Sequence, residues 1–178
     1  MLYLDDLTPG DRFAGGSLTV TEEDIYAFAR QFDPQPFHLD PEAAKETIFA
    51  GLAASGWHTT ALTMRMIVDS PNRLAGGYVG MGVDGLQWPR PVRPGDRLRV
   101  ESEVLEVRPS AKRPDQGVAR MRVVTFNQND EEVLRWIGNL LVPRRTGATG
   151  KSAMVCPSRP TRTSPPEKSR CAVCCCAR

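Results

Sequence analysis

The chain has 178 residues, 40% of them hydrophobic and 25% charged, with a formal charge of +2, which bounds it to one ordinary domain with room for a core. The charge is uneven: residues 144–178 carry eight Lys/Arg against one acid, Glu167, a net +7, so residues 1–143 carry fifteen against twenty, a net −5. An acidic folded part makes no case for nucleic-acid binding, no apolar run is long enough to span a bilayer, and Met1-Leu2-Tyr3-Leu4-Asp5-Asp6 lacks the regions of a signal peptide, so a soluble, cytoplasmic protein is expected.

The first helix signal is Thr21-Glu22-Glu23-Asp24, a capping box with acids in the first turn, followed by Ile25, Phe28, Ala29 and Phe32 at helical spacing. Pro34 and Pro36 end it. A second short helix starts at Asp40, as N-cap, with Pro41 at its first position, and runs to about Glu46. Ser55 is the N-cap of a third helix, on which Trp57, Ala61, Met64 and Val68 form one stripe, flanked by Thr60 and Ile67; Asp69-Ser70-Pro71-Asn72 stops it. This helix is apolar on most sides and is expected to be buried.

The remainder reads as strands. Gly76 to Trp88 is the first, and the Pro-rich run Pro89 to Asp96 connects it to an extended segment bearing Leu98, Val100, Val104, Leu105 and Val107, irregular near Ser102-Glu103. Val118 to Phe126 follows, then an Asn127-Gln128-Asn129-Asp130 hairpin turn and a last strand from Val133 to Val142. Helices first and antiparallel strands after, without a βαβ rhythm, predict an α+β fold. The domain is expected to occupy residues 1–143. Residues 144–178 hold all five cysteines (Cys156, Cys171, Cys174, Cys175, Cys176) and few large apolar side chains, which predicts a disordered, thiol-rich tail in preference to a zinc or redox site.

The chemistry-bearing stretch is Asp33-Pro34-Gln35-Pro36-Phe37-His38, followed by Gly51 to His58. Two prolines in three residues stiffen the segment and exclude a helix there, so a carboxylate and an imidazole can be held on one side of a loop. Such a pair beside a helix N-terminus suits proton transfer on an activated carbonyl compound. Asp33 alone could be a helix-end residue before proline, and His38 alone a satisfied structural histidine; the pair favours function. His58, between Trp57 and Thr59, is a candidate for substrate contact or for packing. Asp40 is better explained as a cap. Ser55 lacks a nucleophile elbow, so it caps or touches substrate. Gly56 would let the backbone approach a ligand closely.

These segments resemble the MaoC-like hydratase/dehydratase family, the (R)-specific enoyl-CoA hydratases of the hot-dog fold. The family motif Asp-x-Asn-Pro-x-His falls on Asp33, Pro36 and His38, with Gln35 in place of Asn, and the family's Ala-His-Gly appears as Ala54-Ser55-Gly56. The resemblance spans roughly residues 8 to 143. It implies a single hot dog, an antiparallel sheet wrapped around a central helix. It implies hydration of a trans-2-enoyl-CoA to the (R)-3-hydroxyacyl-CoA, or the reverse, with Asp33 and His38 catalytic and Gly56, Ser55, Gln35 and His58 near the oxyanion or substrate. No metal or redox cofactor is required, coenzyme A entering only as part of the substrate. A homodimer or higher homo-oligomer is expected, sharing the Gly76–Trp88 edge, because a lone hot dog leaves an unpaired sheet edge. A hot-dog thioesterase would want an acid on the central helix, where Asp69 alone is offered at the far end. A non-catalytic acyl-CoA-binding protein is the other alternative.

Overall fold

A computed structural model describes residues 1–145, and the five cysteines fall outside them. The elements run β1 (Arg12–Thr19), α1 (Glu22–Phe32), α2 (Pro36–Leu39), α3 (Pro41–Lys45), α4 (Gly56–Val68), β2 (Val79–Gln87), β3 (Arg97–Pro109), β4 (Gln116–Phe126) and β5 (Glu132–Pro143), after a short 3-10 turn at Leu4–Asp6. The strands form one antiparallel sheet in the order β1-β3-β4-β5-β2. Helix α4 lies against it, so the molecule has the α+β, hot-dog architecture. Among the described residues no helix is long and apolar enough to cross a membrane.

Local grammar placed most elements. The Thr21 hydroxyl accepts from Asp24 N, and the Asp24 carboxylate accepts from Thr21 N in return. Asp40 Oδ1 accepts from Glu42 N and Ala43 N, with Pro41 at the first helical position. Asn127 closes the β4–β5 turn by accepting from Asn129 N and Glu131 N, and Asp130 takes the left-handed conformation the turn needs (φ 59°).

Three features differ from the sequence reading. Strand β1, Arg-Phe-Ala-Gly-Gly-Ser-Leu-Thr, gives little apolar alternation and was not expected; Gly15 fits because a Cβ there would lie 2.3 Å from the Val100 side chain on β3. The Pro34–His38 stretch is not helix-free: Pro36 occupies the first position of the one-turn helix α2, a place where proline costs no hydrogen bond, and that turn carries His38. The irregularity of β3 falls between Val104 and Glu106, past Ser102-Glu103.

The rotation of α4 is the largest difference. It buries His58, Thr59, Thr63, Met66 and Ile67, and leaves Trp57, Ala61 and Val68 of the predicted stripe exposed. Buried threonines on this face are satisfied. The Thr63 hydroxyl donates to Thr59 O at 2.8 Å, so the Thr125 hydroxyl on β4 is the donor in the 2.7 Å contact between the two side chains. This one polar link crosses an otherwise apolar layer of Met66, Ile67, Leu98, Val100, Val123 and Leu134. Thr63→Val keeps the shape but strips Thr125 of its partner, and should cost about 1–3 kcal/mol, read as a lower denaturant midpoint at unchanged slope.

The last described residues fold back on the start of the chain. Arg144 pairs with Asp5 and Arg145 with Asp6, and Arg145 also lies over the Tyr3 ring at 4.8 Å. All four charges are largely solvent-exposed, so these pairs add little stability.

Candidate functional site

Asp33 is the residue at which α1 ends, and α2 begins three residues later. The intervening Pro34-Gln35 turn puts the Asp33 carboxylate and the His38 ring side by side, with Oδ2 and Nε2 3.4 Å apart. His38 is buried and Asp33 is partly covered. Phe37 stands edge-on to the imidazole at 4.5 Å between centroids, and Phe49 lies 6.0 Å away on the loop after α3. These rings keep bulk water from one side of the pair.

Each polar atom around the pair has an assignable role. His38 Nδ1 lies 2.7 Å from Ala53 O. A carbonyl only accepts, so Nδ1 carries the proton, and in the neutral ring Nε2 is a bare acceptor. Asp33 Oδ1 accepts from Gln35 Nε2 at 2.6 Å, and Oδ2 accepts from Ser55 Oγ at 2.6 Å. Burial pushes the Asp33 carboxyl up. The hydrogen bonds from Ser55 and Gln35 outweigh that, helped by the His38 charge when the ring is protonated, and hold it below its ordinary value of 3.8. Asp33 is therefore a carboxylate at neutral pH. Two acceptors, Oδ2 and Nε2, face one another at a distance that a single water can straddle, giving a proton to each.

Ser55 ties this pair to the central helix. Its hydroxyl accepts from Trp57 N at 3.2 Å, capping α4, while donating to Asp33. The positive end of the helix dipole thus faces the carboxylate, which adds to its acidity. Asp33, His38, Ser55 and Gln35, four of the sequence-predicted residues, meet in one cluster.

Gly56 and His58 do other work. A Cβ on Gly56 would come within 2.7 Å of the Trp88 indole, so the missing side chain makes room for Trp88. Trp88 donates its ring N–H to the Thr60 hydroxyl at 3.3 Å and meets Trp57 edge-on at 5.4 Å, forming a half-exposed aromatic wall beside the helix N-terminus that the sequence reading did not single out. His58 is buried beneath α1. It stacks on Phe28 of α1 at 4.8 Å, and its buried Nδ1 has no partner among the described residues.

That burial has a consequence for stability. Loss of hydration lowers the His58 pKa from 6.5, with Asp24 pulling weakly the other way. Below 6.5 the unfolded chain takes up a proton at His58 while the folded chain resists it. Stability is thus full above 6.5 and falls as the pH drops through that value toward the lower folded pKa. Denaturant unfolding on either side of 6.5 should show this slope, and His58→Phe should flatten it.

An apolar cavity of about 340 Å³ lies between the C-terminal half of α4 and the sheet, lined among others by Met64, Ile67, Tyr78, Met121, Trp136 and Gly82. It does not reach Asp33 or His38, which sit at the other end of α4. Asp69 caps the far end of that helix, half-exposed and paired with Arg65. Among the described residues no group of three or more His, Cys, Asp or Glu converges as a metal site would.

Comparison with known proteins places this geometry. Residues 7–125 match the MaoC like domain family. The uncharacterised protein YdeM of Bacillus subtilis (strain 168) is 33% identical over 143 residues, which is 80% of this chain and 100% of that protein. The crystal structure of the MaoC-like dehydratase from Rhodospirillum rubrum superposes with a TM-score of 0.79 at 50% identity, covering 82% of this chain and 99% of that one. The R-hydratase PhaJ1 from Pseudomonas aeruginosa, in its unliganded form, superposes with a TM-score of 0.63 at 27% identity, covering 80% and 86%. The chain belongs to the MaoC-like dehydratase domain family.

Proposed function

We propose that the protein adds water across the α,β double bond of a trans-2-enoyl-CoA to give the (R)-3-hydroxyacyl-CoA, or runs the reverse elimination. The observation that carries this is the facing pair of acceptors, Asp33 Oδ2 and His38 Nε2 at 3.4 Å, with His38 Nδ1 committed to Ala53 O. A water held between them is polarised by a carboxylate that stays ionised and by a ring nitrogen with a free lone pair. As its oxygen bonds to the β-carbon, one O–H bond breaks and the proton passes to the pair. The double-bond electrons move onto the thioester carbonyl as an enolate. The α-carbon then takes a proton from the pair, which returns to its starting state, and the enolate collapses to the saturated thioester. The backbone N–H groups of Gly56 and His58 in the first turn of α4 lack the partners that Trp57 and Thr59 have in Ser55, so they suit the enolate oxygen, as the helix dipole does. The R-hydratase among the solved relatives supports the stereochemistry.

The cavity under α4 supports an acyl substrate. It is apolar and of the size of a small-molecule site. Met64 stands nine residues beyond Ser55, roughly 13 Å along the helix, and helical side chains lean back toward the N-terminus, which narrows the gap to the reacting carbons.

A second copy of the chain would complete the enclosure. Strand β2 is one of the two outer strands of the sheet, and Val79, Met81 and Val83 on it are each about half exposed, 49 to 55%. Gly80, Gly82 and Val83 also line the cavity, so the same unpaired edge borders the acyl space. Pairing two such edges about a two-fold axis covers both. Light scattering should give about twice the 19.6 kDa chain mass; an active monomer would contradict the shared edge.

The reading is tested with crotonyl-CoA by following loss of the conjugated enoyl absorbance beside a thiol-release assay. Loss of absorbance without free thiol is expected. Thiol release without hydration would point to a thioesterase, a reaction for which Asp69, exposed and salt-bridged at the wrong end of α4, offers little.

A further inference from the structure

We propose that Arg93 is a positioning residue of this site: its guanidinium holds the Phe49–Leu52 loop, and through Ala53 that loop sets the tautomer and aim of the His38 ring. The inference rests on the role given to His38 above.

The loop between α3 and α4 makes bonds of its own, Ala50 N to Thr47 O and Gly51 N to Ala44 O, but carries a strained turn. Ala50 sits at φ 51° and Gly51 at φ 142°, a left-handed pair of which the first is uncommon for a residue with a side chain. The turn points its carbonyls inward, and one side chain meets them. Arg93 Nη1 donates to Gly51 O at 2.6 Å and to Leu52 O at 2.9 Å, and Nη2 donates to Phe49 O. A planar fork can bind three carbonyls from a fixed direction; an ammonium on a flexible stem cannot. Glycine suits position 51 for its φ, not for space, since a Cβ there would lie at ordinary contact distance, 3.6 Å from Nη1.

Arg93 is itself fixed. Its backbone N–H donates to Asp96 Oδ2 at 2.7 Å, and Asp96 Oδ1 accepts from Gln128 Nε2 at 2.8 Å. The preceding residue takes part in the same clamp, because Val92 O accepts from Ala54 N at 2.8 Å. Between the Arg93 contacts and the Val92 contact lies Ala53, whose carbonyl accepts from His38 Nδ1. The hydrogen bond that keeps Nε2 bare and aimed at Asp33 therefore hangs on a carbonyl gripped on both sides by the Val92-Arg93 segment. Arg93 touches neither Asp33 nor His38; its effect reaches the chemistry through the loop, by way of the Ala53 carbonyl and of Phe49, whose ring packs toward His38.

The test pairs kinetics with the ring itself. The chain has two histidines, so imidazole ¹⁵N spectra contain two ring systems, and His58→Phe assigns them. In the native protein His38 should show one tautomer, protonated at Nδ1. Arg93→Lys should fold, lower kcat roughly ten- to a hundredfold with KM changed by less than about twofold, and mix the His38 tautomers. Arg93→Ala should behave alike, with kcat partly restored by added guanidinium ion. A folded Arg93→Lys with native kcat and a single Nδ1–H tautomer would overturn the proposal. So would a variant that only melts earlier, or failure of both Arg93→Lys and Arg93→Gln to fold, since Arg93 would then be architectural. The spectra are read without substrate. Tautomer mixing in Arg93→Lys, in a protein that never hydrates crotonyl-CoA, would keep the clamp and reject the hydratase reading.

Discussion

Asp33→Asn should lower the hydration rate by about 10²-fold or more while leaving the fold intact. The replacement keeps the shape of the side chain. Its carbonyl oxygen can still accept from Ser55 Oγ, and its amide can meet Gln35 once that side chain turns its own oxygen inward, so both hydrogen bonds that position Asp33 survive. Only the negative charge and the ability to take a proton are lost. The same network predicts a pH effect. Ser55 and Gln35 help hold the native carboxyl below its ordinary value, so the acid limb of kcat/KM should move up in Ser55→Ala, where one of these donors is gone. Native activity in a folded Asp33→Asn would remove the carboxylate from the mechanism.

His38→Asn should be as damaging, in the range of about 10²- to 10⁴-fold in kcat. Asparagine places its amide nitrogen near the position of imidazole Nδ1, so it can keep the contact to Ala53 O and hold the Ala53 loop in place. It has nothing where Nε2 stood, 3.4 Å from Asp33 Oδ2. The water would lose one of its two acceptors, and KM should change little because the aromatic wall and the cavity are untouched. A melting temperature near that of the native protein separates this loss from unfolding. If His38→Asn kept native kcat, His38 would be a structural residue that happens to lie beside Asp33.

Much of the fold could be read from the chain because its signals are local. Thr21, Asp40 and Ser55 each cap the helix their position predicts, and Asn127 to Asp130 turn the hairpin, since a cap or a turn needs only a few neighbouring residues. The cluster of Asp33, Gln35 and His38 was legible for the same reason: six residues, two of them prolines, confine it. What was not legible depends on partners far along the chain. The rotation of α4 is set by Thr125, 62 residues from Thr63, which makes a polar face the buried one and turns Trp57 and Val68 outward. Gly56 reads as a place of close approach, and the group packed where its Cβ would be is the Trp88 ring, 32 residues on. Arg93 read as one charge in a Pro-rich connection, and its three acceptors are backbone carbonyls, which no side-chain pattern announces. Strand β1 escaped because glycines and small polar residues replace the alternation that marks a strand.

The central claim is that the water joins the β-carbon of an intact thioester. Turnover of crotonyl-CoA in H₂¹⁸O, with the products resolved by mass spectrometry, tests it most directly. The predicted result is one ¹⁸O in the 3-hydroxyl of (R)-3-hydroxybutyryl-CoA, with the thioester unbroken and the product absent in Asp33→Asn. Label in a released carboxylate, or none in any acyl product, would contradict it.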